Sequence, residues 1–205
     1  MVRFVVLVPV KSPDAAKSRL VGHHDRAALA AAFATDMVRA CLATPAVERV
    51  LITSDDSDFA ARLAQYGADR FPDTAGSLNG ALRDAAAEAG ARWPTLRPVA
   101  VLADLPALRP ADLGEALAIV ASRAPTSASF VPDAEGTGTV LYSAPTDAFD
   151  PRFGEDSARA HAEAGAVAVT GALPTLRRDV DDLASLEAAS RWGLGSATRA
   201  VADLR

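Results

Sequence analysis

The chain has 205 residues, half of them hydrophobic, with a single cysteine and a net charge of −5. This length allows one large domain or two small ones, and the apolar content excludes a disordered chain. The charge argues against a general nucleic-acid-binding surface, the lone Cys41 cannot form an internal disulfide, and no apolar run reaches membrane-spanning length. We therefore expect a cytoplasmic protein that binds neither nucleic acid nor membrane.

The first part of the chain alternates between strand and helix patterns. Strands are expected over residues 4–10, 47–53, 68–71 and 98–103, where apolar runs are bounded by turn residues. Helices are expected over 25–42, between 58 and 67, and over 78–91 and 110–123, with start signals at Ser77 and Pro110. This order predicts an α/β fold with a mostly parallel central sheet and helices on both faces.

The pattern is more mixed in the second part of the chain. Strands are expected over 127–132, 139–143, 166–170 and 176–180, and helices within 153–164 and over 183–192. No linker-like composition or internal repeat interrupts the chain. We therefore expect a single domain over residues 1–205.

Charged residues follow several of the expected strands. Cations come after the first strand and aspartates come after the fourth strand and near the end of the chain: Lys11, Lys17, Arg19, Asp104, Asp179 and Asp181. Ligands of open α/β sheets bind beyond the carboxyl ends of the strands, so these groups are expected to meet at one edge. Cations hold nucleotide phosphates and carboxylates hold Mg²⁺, which together suit phosphoryl-type transfer.

Each of these groups also has a structural interpretation. The three cations could form a solvated loop, and Asp104 before Leu-Pro could be a turn residue. The late aspartates could cap the helix that starts at Leu183, which is the role we expect for Asp182. The histidines lack metal-ligand spacing.

Two glycine-containing loops suggest a second, smaller anionic substrate. Gly136 and Gly138 let the backbone approach a ligand, although a glycine pair is also typical of a hairpin turn. Gly154 precedes an expected helix, and backbone N–H groups from there to Ser157 would form an anion site.

The chain resembles, over nearly its whole length, the phospholactate/phosphoenolpyruvate guanylyltransferases of coenzyme F(420) biosynthesis. The resemblance rests on five stretches in the family's order, VPVKSPDAAKSRL, VLADLPAL, GTGTVLYSAP, PRFGEDSARAH and LRRDVDDLASLEAA. The GTGT and RFGEDS forms resemble the actinobacterial, phosphoenolpyruvate-using branch. The resemblance implies a GT-A-like nucleotidyltransferase fold and transfer of GMP from GTP to phosphoenolpyruvate, with release of pyrophosphate.

The resemblance also implies a role for particular residues. Lys11, Lys17 and Arg19 would bind the GTP phosphates and serve catalysis, and Asn79, in SLNGAL, would lie near the nucleotide. Phosphoenolpyruvate would be held by Thr139, Gly154 and Ser157. Mg²⁺ would be bound by the catalytic Asp104 together with Asp179 or Asp181.

Three departures from the family pattern bear on these expectations. Ala103 stands where the family usually has glycine, which matters only if that position needs a positive φ. Asp182 and Leu183 follow Asp181 where the family often has Thr-Pro, which leaves the choice between Asp179 and Asp181 open. The Gly-rich loop common after the first strand in the wider superfamily is missing.

Other functions remain open at this stage. The acceptor could be 2-phospho-L-lactate, 3-phosphoglycerate or a molybdopterin. A glycosyltransferase would usually carry an Asp-x-Asp metal motif, whereas this chain has Ala103-Asp104-Leu105-Pro106. A non-catalytic nucleotide-binding protein on the same fold is a further alternative. The sequence also leaves open whether the protein is a monomer or a homodimer.

Overall fold

The structure is a computed structural model that describes residues 2–13 and 26–202. In these ranges seven strands form one sheet: β1 Phe4–Val10, β2 Val47–Ser54, β3 Asp69–Pro72, β4 Arg97–Val101, β5 Ser129–Pro132, β6 Thr139–Ser143 and β7 Val167–Ala168. The helices are α1 Arg26–Leu42, α2 Ser57–Ala64, α3 Leu78–Arg92, α4 Pro110–Ser122, α5 Ser157–Glu163, α6 Leu183–Ser190 and α7 Ser196–Val201. A short 3₁₀ helix spans Thr146–Ala148.

The strand order across the sheet is β3-β2-β1-β4-β6-β5-β7. Strands β1 to β4 are mutually parallel, β6 runs antiparallel to both β4 and β5, and β7 is parallel to β5. The expected mostly parallel sheet is confirmed. Because β6 alone is reversed, its first residue lies at the edge where the other strands end.

The sheet separates two apolar layers. One layer contains α1, α2 and α4 residues such as Met37 and Leu113, and the other contains α3 residues such as Leu82 and Ala85. Because both faces are covered, the central strand β1 is apolar along its whole length, as a doubly buried parallel strand requires. Cys41 is fully buried in the core, as expected, and this burial raises the pKa of its thiol to about 12.

The strand expected over residues 176–180 is wrong. This segment crosses the carboxyl edge of the sheet without pairing as a strand. The Val180 N–H donates to the carbonyl of Asp104 at 3.0 Å. The Arg177 guanidinium donates to the carbonyls of Pro132 and Val169, each at 2.8 Å. The apolar residues Leu176 and Val180 are buried, but the hydrogen bonds of this segment go to residues beyond the ends of strands, which the sequence pattern could not show.

Helix boundaries otherwise differ mainly in the last third of the chain. The helix expected within 153–164 is only the seven residues of α5, and α7 was not predicted. In the described ranges, no helix is long and apolar enough to cross a membrane. All described strands belong to one sheet, while a single domain over residues 1–205 stays a prediction.

Candidate active site

A cavity of about 860 Å³ opens at the carboxyl edge of the parallel strands. The ends of β1 and β2 and the segment after β4 line it, and α1 supplies an apolar wall that includes Phe33 and Ala34. The loop before α3 and the first residue of that helix also line the cavity, with Asp73, Thr74, Gly76, Ser77 and Leu78. Its size is within the range of small-molecule sites, and its position is where open α/β sheets bind ligands.

The cationic side of this cavity begins directly after β1. Lys11 is exposed and lines the cavity. Lys17 and Arg19 lie outside the described residues. Thr53, at the end of β2, also lines the cavity, and its buried hydroxyl has no hydrogen-bond partner among the described residues. An unsatisfied buried hydroxyl is costly unless a ligand or water completes its bonding.

Carboxylates also line the cavity, among them Asp55 and Asp73. Asp104 and Asp181 line it, and the Val180–Asp104 backbone hydrogen bond brings the two segments together. Asp179 lies half-buried beside them. Burial, together with the negative charges of Asp104, Asp181 and Asp133, raises the pKa of Asp179 to about 7. The predicted meeting of these aspartates at one sheet edge is therefore present in the structure.

Two further acidic residues belong to this group and were not predicted. Carboxylate oxygens of Asp133, Glu135 and Asp179 lie within 4.8 Å of one another. Asp133 also shapes the β5–β6 turn, because its carboxylate accepts hydrogen bonds from Thr137 N at 3.0 Å and Gly138 N at 2.8 Å. A Cβ at position 138 would collide with that carboxylate. The turn was visible in the sequence, but its place at this edge depends on the antiparallel pairing of β6.

The donor set of this acidic group fits a divalent cation. Hard cations such as Mg²⁺ prefer carboxylate oxygens, and repulsion from the neighbouring carboxylates adds to the effect of burial in raising the pKa of Asp179. A bound cation would offset that repulsion. The structure thus supports a metal-binding acidic group, while the identity of the metal and the choice between Asp179 and Asp181 stay predictions.

The residues expected to bind the acceptor lie around the start of β6 and the loop before α5. Thr139 is buried at the first position of β6, next to the exit of β4, because Leu102 N donates to Val140 O at 3.1 Å. Gly154 is exposed, with φ +141°, and a Cβ there would meet nothing within 4 Å. Ser157 is the buried first residue of α5.

Comparisons with known proteins place the chain in a family. No family model matches it. A phosphoenolpyruvate guanylyltransferase from Salinispora arenicola is 48% identical over 200 residues, covering 95% of this chain and 91% of that protein. One from Geodermatophilus obscurus is 45% identical over 208 residues, covering 96% and 92%. The chain belongs to the phosphoenolpyruvate guanylyltransferase family.

A solved structure agrees with this assignment at the level of the fold. A Desulfovibrio desulfuricans protein described as a nucleotide-diphospho-sugar transferase matches with a TM-score of 0.73 at 20% identity, covering 97% of this chain and 94% of that one. The resemblance drawn from the sequence, the GT-A-like nucleotidyltransferase fold and the enzyme class are confirmed. The role of each site residue remains a prediction.

The two departures from the family pattern within the described residues have a structural explanation. Asp156 and Leu173 are the described non-glycine residues with positive φ. Position 103 does not have a positive φ, so alanine can take the place of the family's glycine there. Asp182 caps α6 by accepting from Ser185 N at 2.8 Å, as expected. The departure at Asp182 and Leu183 thus lies at the start of α6 and not in the cavity.

Asn79 contacts a different region from the one expected. Its side-chain N–H donates to Phe153 O and its oxygen accepts from Phe153 N, both at 2.9 Å. Both polar atoms of the amide are therefore engaged with the loop that carries Gly154. A role near the nucleotide stays a prediction, and the structure adds an anchoring role on the other predicted substrate site.

Proposed function

We propose that this protein transfers GMP from GTP to phosphoenolpyruvate, giving enolpyruvyl-diphospho-5′-guanosine and pyrophosphate, a step of coenzyme F(420) biosynthesis. One observation carries the proposal: a cavity of nucleotide size at the carboxyl edge of the sheet is lined both by Lys11 and by the carboxylates of Asp104 and Asp181. The family to which the chain belongs supports the choice of nucleotide and acceptor.

GTP occupies the cavity in this proposal. Its base and ribose contact the apolar wall of α1 and the loop before α3, and Thr53 offers its buried hydroxyl. The triphosphate lies toward Lys11, with Lys17 and Arg19 supplying further positive charge. Three cations suit a triphosphate that carries about four negative charges.

The acidic group serves the reacting phosphates. Asp104, with Asp179 or Asp181, would hold Mg²⁺, which when bound neutralises charge on the triphosphate and on the departing pyrophosphate. A phosphate oxygen of the acceptor attacks the α-phosphorus of GTP. The bond from that phosphorus to the oxygen bridging to the β-phosphate breaks, and pyrophosphate takes the electron pair.

The acceptor lies on the other side of the α-phosphorus. Thr139 and Ser157 contribute buried hydroxyls there and Gly154 contributes exposed backbone, a combination that suits a small molecule with a phosphate and a carboxylate. The α5 helix has only seven residues, so we assign the binding to these groups rather than to the helix end. The cytoplasmic location expected from the sequence remains a prediction.

The decisive experiment measures pyrophosphate release with Mg²⁺, each nucleoside triphosphate and each acceptor. We expect release with GTP plus phosphoenolpyruvate, and mass spectrometry should identify the guanylylated product. Faster turnover with 2-phospho-L-lactate or 3-phosphoglycerate would reassign the acceptor. Release with none of the combinations would leave a non-catalytic nucleotide-binding protein.

Amine labelling offers an independent test of the phosphate-binding segment. Lys11 and Lys17 are the only lysines in the chain. We expect GTP to protect both from an amine-reactive reagent, measured by peptide mass spectrometry, with the N-terminal amine as an internal control. Labelling that is unchanged by saturating GTP would argue for an ordinary solvated loop.

A further inference from the structure

His161 on α5 is fully buried, with 0% of its surface exposed. Its ring stacks on Tyr142 with centroids 4.7 Å apart and on Phe130 at 5.6 Å, and Phe153 meets it edge-on at 5.6 Å. A histidine placed in an aromatic cluster loses its hydration, so its two ring nitrogens need protein partners. Both have them.

The partners determine which ring nitrogen carries the proton. Nε2 lies 2.9 Å from the backbone nitrogen of Arg152, whose N–H donates to it. Nε2 is therefore unprotonated, and Nδ1 carries the proton in the neutral ring. Nδ1 lies 3.0 Å from the hydroxyl oxygen of Thr139. Burial lowers the pKa of His161 to about 4 and outweighs the smaller, opposite effect of the nearby Ser157 backbone.

This arrangement orients the hydroxyl of Thr139. Because Nδ1–H donates to the hydroxyl oxygen, the hydroxyl must give its own proton to another acceptor. A donor is what an anionic substrate requires at this position. We propose that His161 is a positioning residue of the acceptor site, which holds the Thr139 hydroxyl as a donor and holds the backbone at Arg152, two residues before Gly154.

The proposal rests on the placement of phosphoenolpyruvate at Thr139, Gly154 and Ser157. Asn79 of α3 completes the same connection, because it holds both backbone groups of Phe153. The segment leading to Gly154 is thus held by one side chain from α3 and one from α5. His161 is the member that also contacts Thr139, so it links the two parts of the predicted acceptor site.

Three substitutions separate the contacts of His161. His161→Phe keeps the ring packing and removes both hydrogen bonds. His161→Asn can place an N–H near the Nδ1 position and keep the bond to Thr139, whereas His161→Gln can place an oxygen near the Nε2 position and keep the bond to Arg152. Tyr142→Phe is the matched control, because it alters the same aromatic cluster without touching the Thr139 hydroxyl.

Steady-state kinetics with wild-type enzyme come first, because they test the proposed function by itself. A wild type that forms no pyrophosphate from GTP and phosphoenolpyruvate refutes that function and, with it, this inference. With an active wild type, we expect His161→Phe to raise KM for phosphoenolpyruvate about ten- to a hundredfold. KM for GTP should stay unchanged, and Tyr142→Phe should leave both values unchanged.

A double-mutant cycle then tests whether His161 acts through Thr139. We expect His161→Phe to raise the acceptor KM clearly less in a Thr139→Val background than in the wild type, since the hydroxyl to be oriented is gone. Within the single variants, His161→Asn should lie closer to the wild type than His161→Phe. If the double variant raises the acceptor KM by the product of the two single-variant factors, the two residues act independently and the proposal is overturned.

The remaining outcomes also decide the proposal. An unchanged acceptor KM in His161→Phe, or equal rises in the KM of GTP and of phosphoenolpyruvate, would show a merely structural histidine. Should His161→Phe fail to fold, His161→Asn and His161→Gln carry the test. An acceptor KM raised in His161→Gln but near normal in His161→Asn supports the role, and equal values in these two variants overturn it.

Discussion

Three aspartates within four residues, Asp179, Asp181 and Asp182, lie in three different surroundings. Asp179 is half-buried among other carboxylates, Asp181 lines the cavity, and Asp182 accepts the hydrogen bonds that start α6. The backbone N–H of Ser185 lowers the pKa of Asp182, whereas burial raises the pKa of Asp179. The surroundings, and not the residue type, therefore separate a helix cap from a charge that favours a cation.

Asp104→Asn tests the carboxylate of Asp104 in the cavity, because it replaces one carboxylate oxygen with an amide nitrogen. The substitution removes a negative charge with little change of shape, and we expect turnover to fall about a hundredfold or more. Asp182→Asn is the matched control, because asparagine caps helices as well as aspartate does. The rate of pyrophosphate release, at limiting and at saturating Mg²⁺, gives the turnover of both variants. Near-normal turnover of Asp104→Asn at limiting Mg²⁺ would contradict the assignment.

Gly154→Ala tests whether the loop before α5 needs its backbone conformation. Gly154 has φ +141° and Gly67 has φ +107°, and a Cβ at either position meets nothing within 4 Å. Both substitutions should therefore cost roughly 1–2 kcal/mol of stability through backbone strain alone. We expect only Gly154→Ala to raise KM for the acceptor. Melting temperatures and the acceptor KM, measured for both variants, check this. The same acceptor KM in Gly154→Ala and Gly67→Ala would show that Gly154 does not belong to the acceptor site.

At the scale of elements, α7 packs against α1, the helix that forms the apolar wall of the cavity. Asp36, on α1, accepts hydrogen bonds from Ala197 N at 3.0 Å and Thr198 N at 2.7 Å, so a carboxylate of one helix caps the start of another. Gly195 is required at the approach, because a Cβ there would run into the Asp36 carboxylate. The same helix α1 carries Phe33 to the cavity.

Asp36→Ala should loosen α7 from α1. The substitution leaves the capped N–H groups without their buried, charged acceptor, and we expect a loss of about 1–3 kcal/mol in the free energy of unfolding. Ser196→Ala, which removes an exposed hydrogen bond to Arg39, should cost less than about 0.5 kcal/mol. Denaturant unfolding measures both, and hydrogen exchange should rise in α7 first. Equal losses in the two variants would contradict the capping role.

At the scale of the whole molecule, the half-buried Asp179 and the buried His161 give the free energy of unfolding opposite dependences on pH. Asp179, with its pKa raised to about 7, keeps a proton that the unfolded chain releases, so its contribution is lost as pH rises from about 4 to 7. His161, with its pKa lowered to about 4, stays neutral while the unfolded chain takes up a proton, so its contribution is lost as pH falls from 6.5 to about 4. The two effects oppose each other over the same range.

Single substitutions should expose these opposing slopes. Between pH 4 and 7, we expect Asp179→Asn to gain stability relative to the wild type as pH rises, by roughly 1–3 kcal/mol. His161→Gln should lose stability relative to the wild type over the same rise. Mg²⁺ should raise the wild-type melting temperature more at pH 8 than at pH 5. Parallel pH profiles for all three proteins would contradict both assignments.

Much of the fold follows from signals that act over a few residues. Apolar runs predict β1 and β4, Ser77 and Pro110 mark the starts of α3 and α4, and Asp182 is recognisable as a cap. The same local patterns show cations and Asp104 at strand ends. The family resemblance carried the assignment of Thr139, Gly154 and Ser157 to the acceptor, because their spacing alone predicts no particular substrate.

The tertiary structure decided how distant segments meet. The reversed direction of β6 brings Asp133 and Thr139 to the edge that already carries Asp104, and residues 176–180 hydrogen-bond across that edge instead of forming a strand. Asn79 reaches a residue 74 positions away, and His161 reaches Thr139 22 positions away. Sequence periodicity reports which face of one element is buried. Strand direction and contacts between elements depend on how the packed layers fit together, so they appear only in the folded chain.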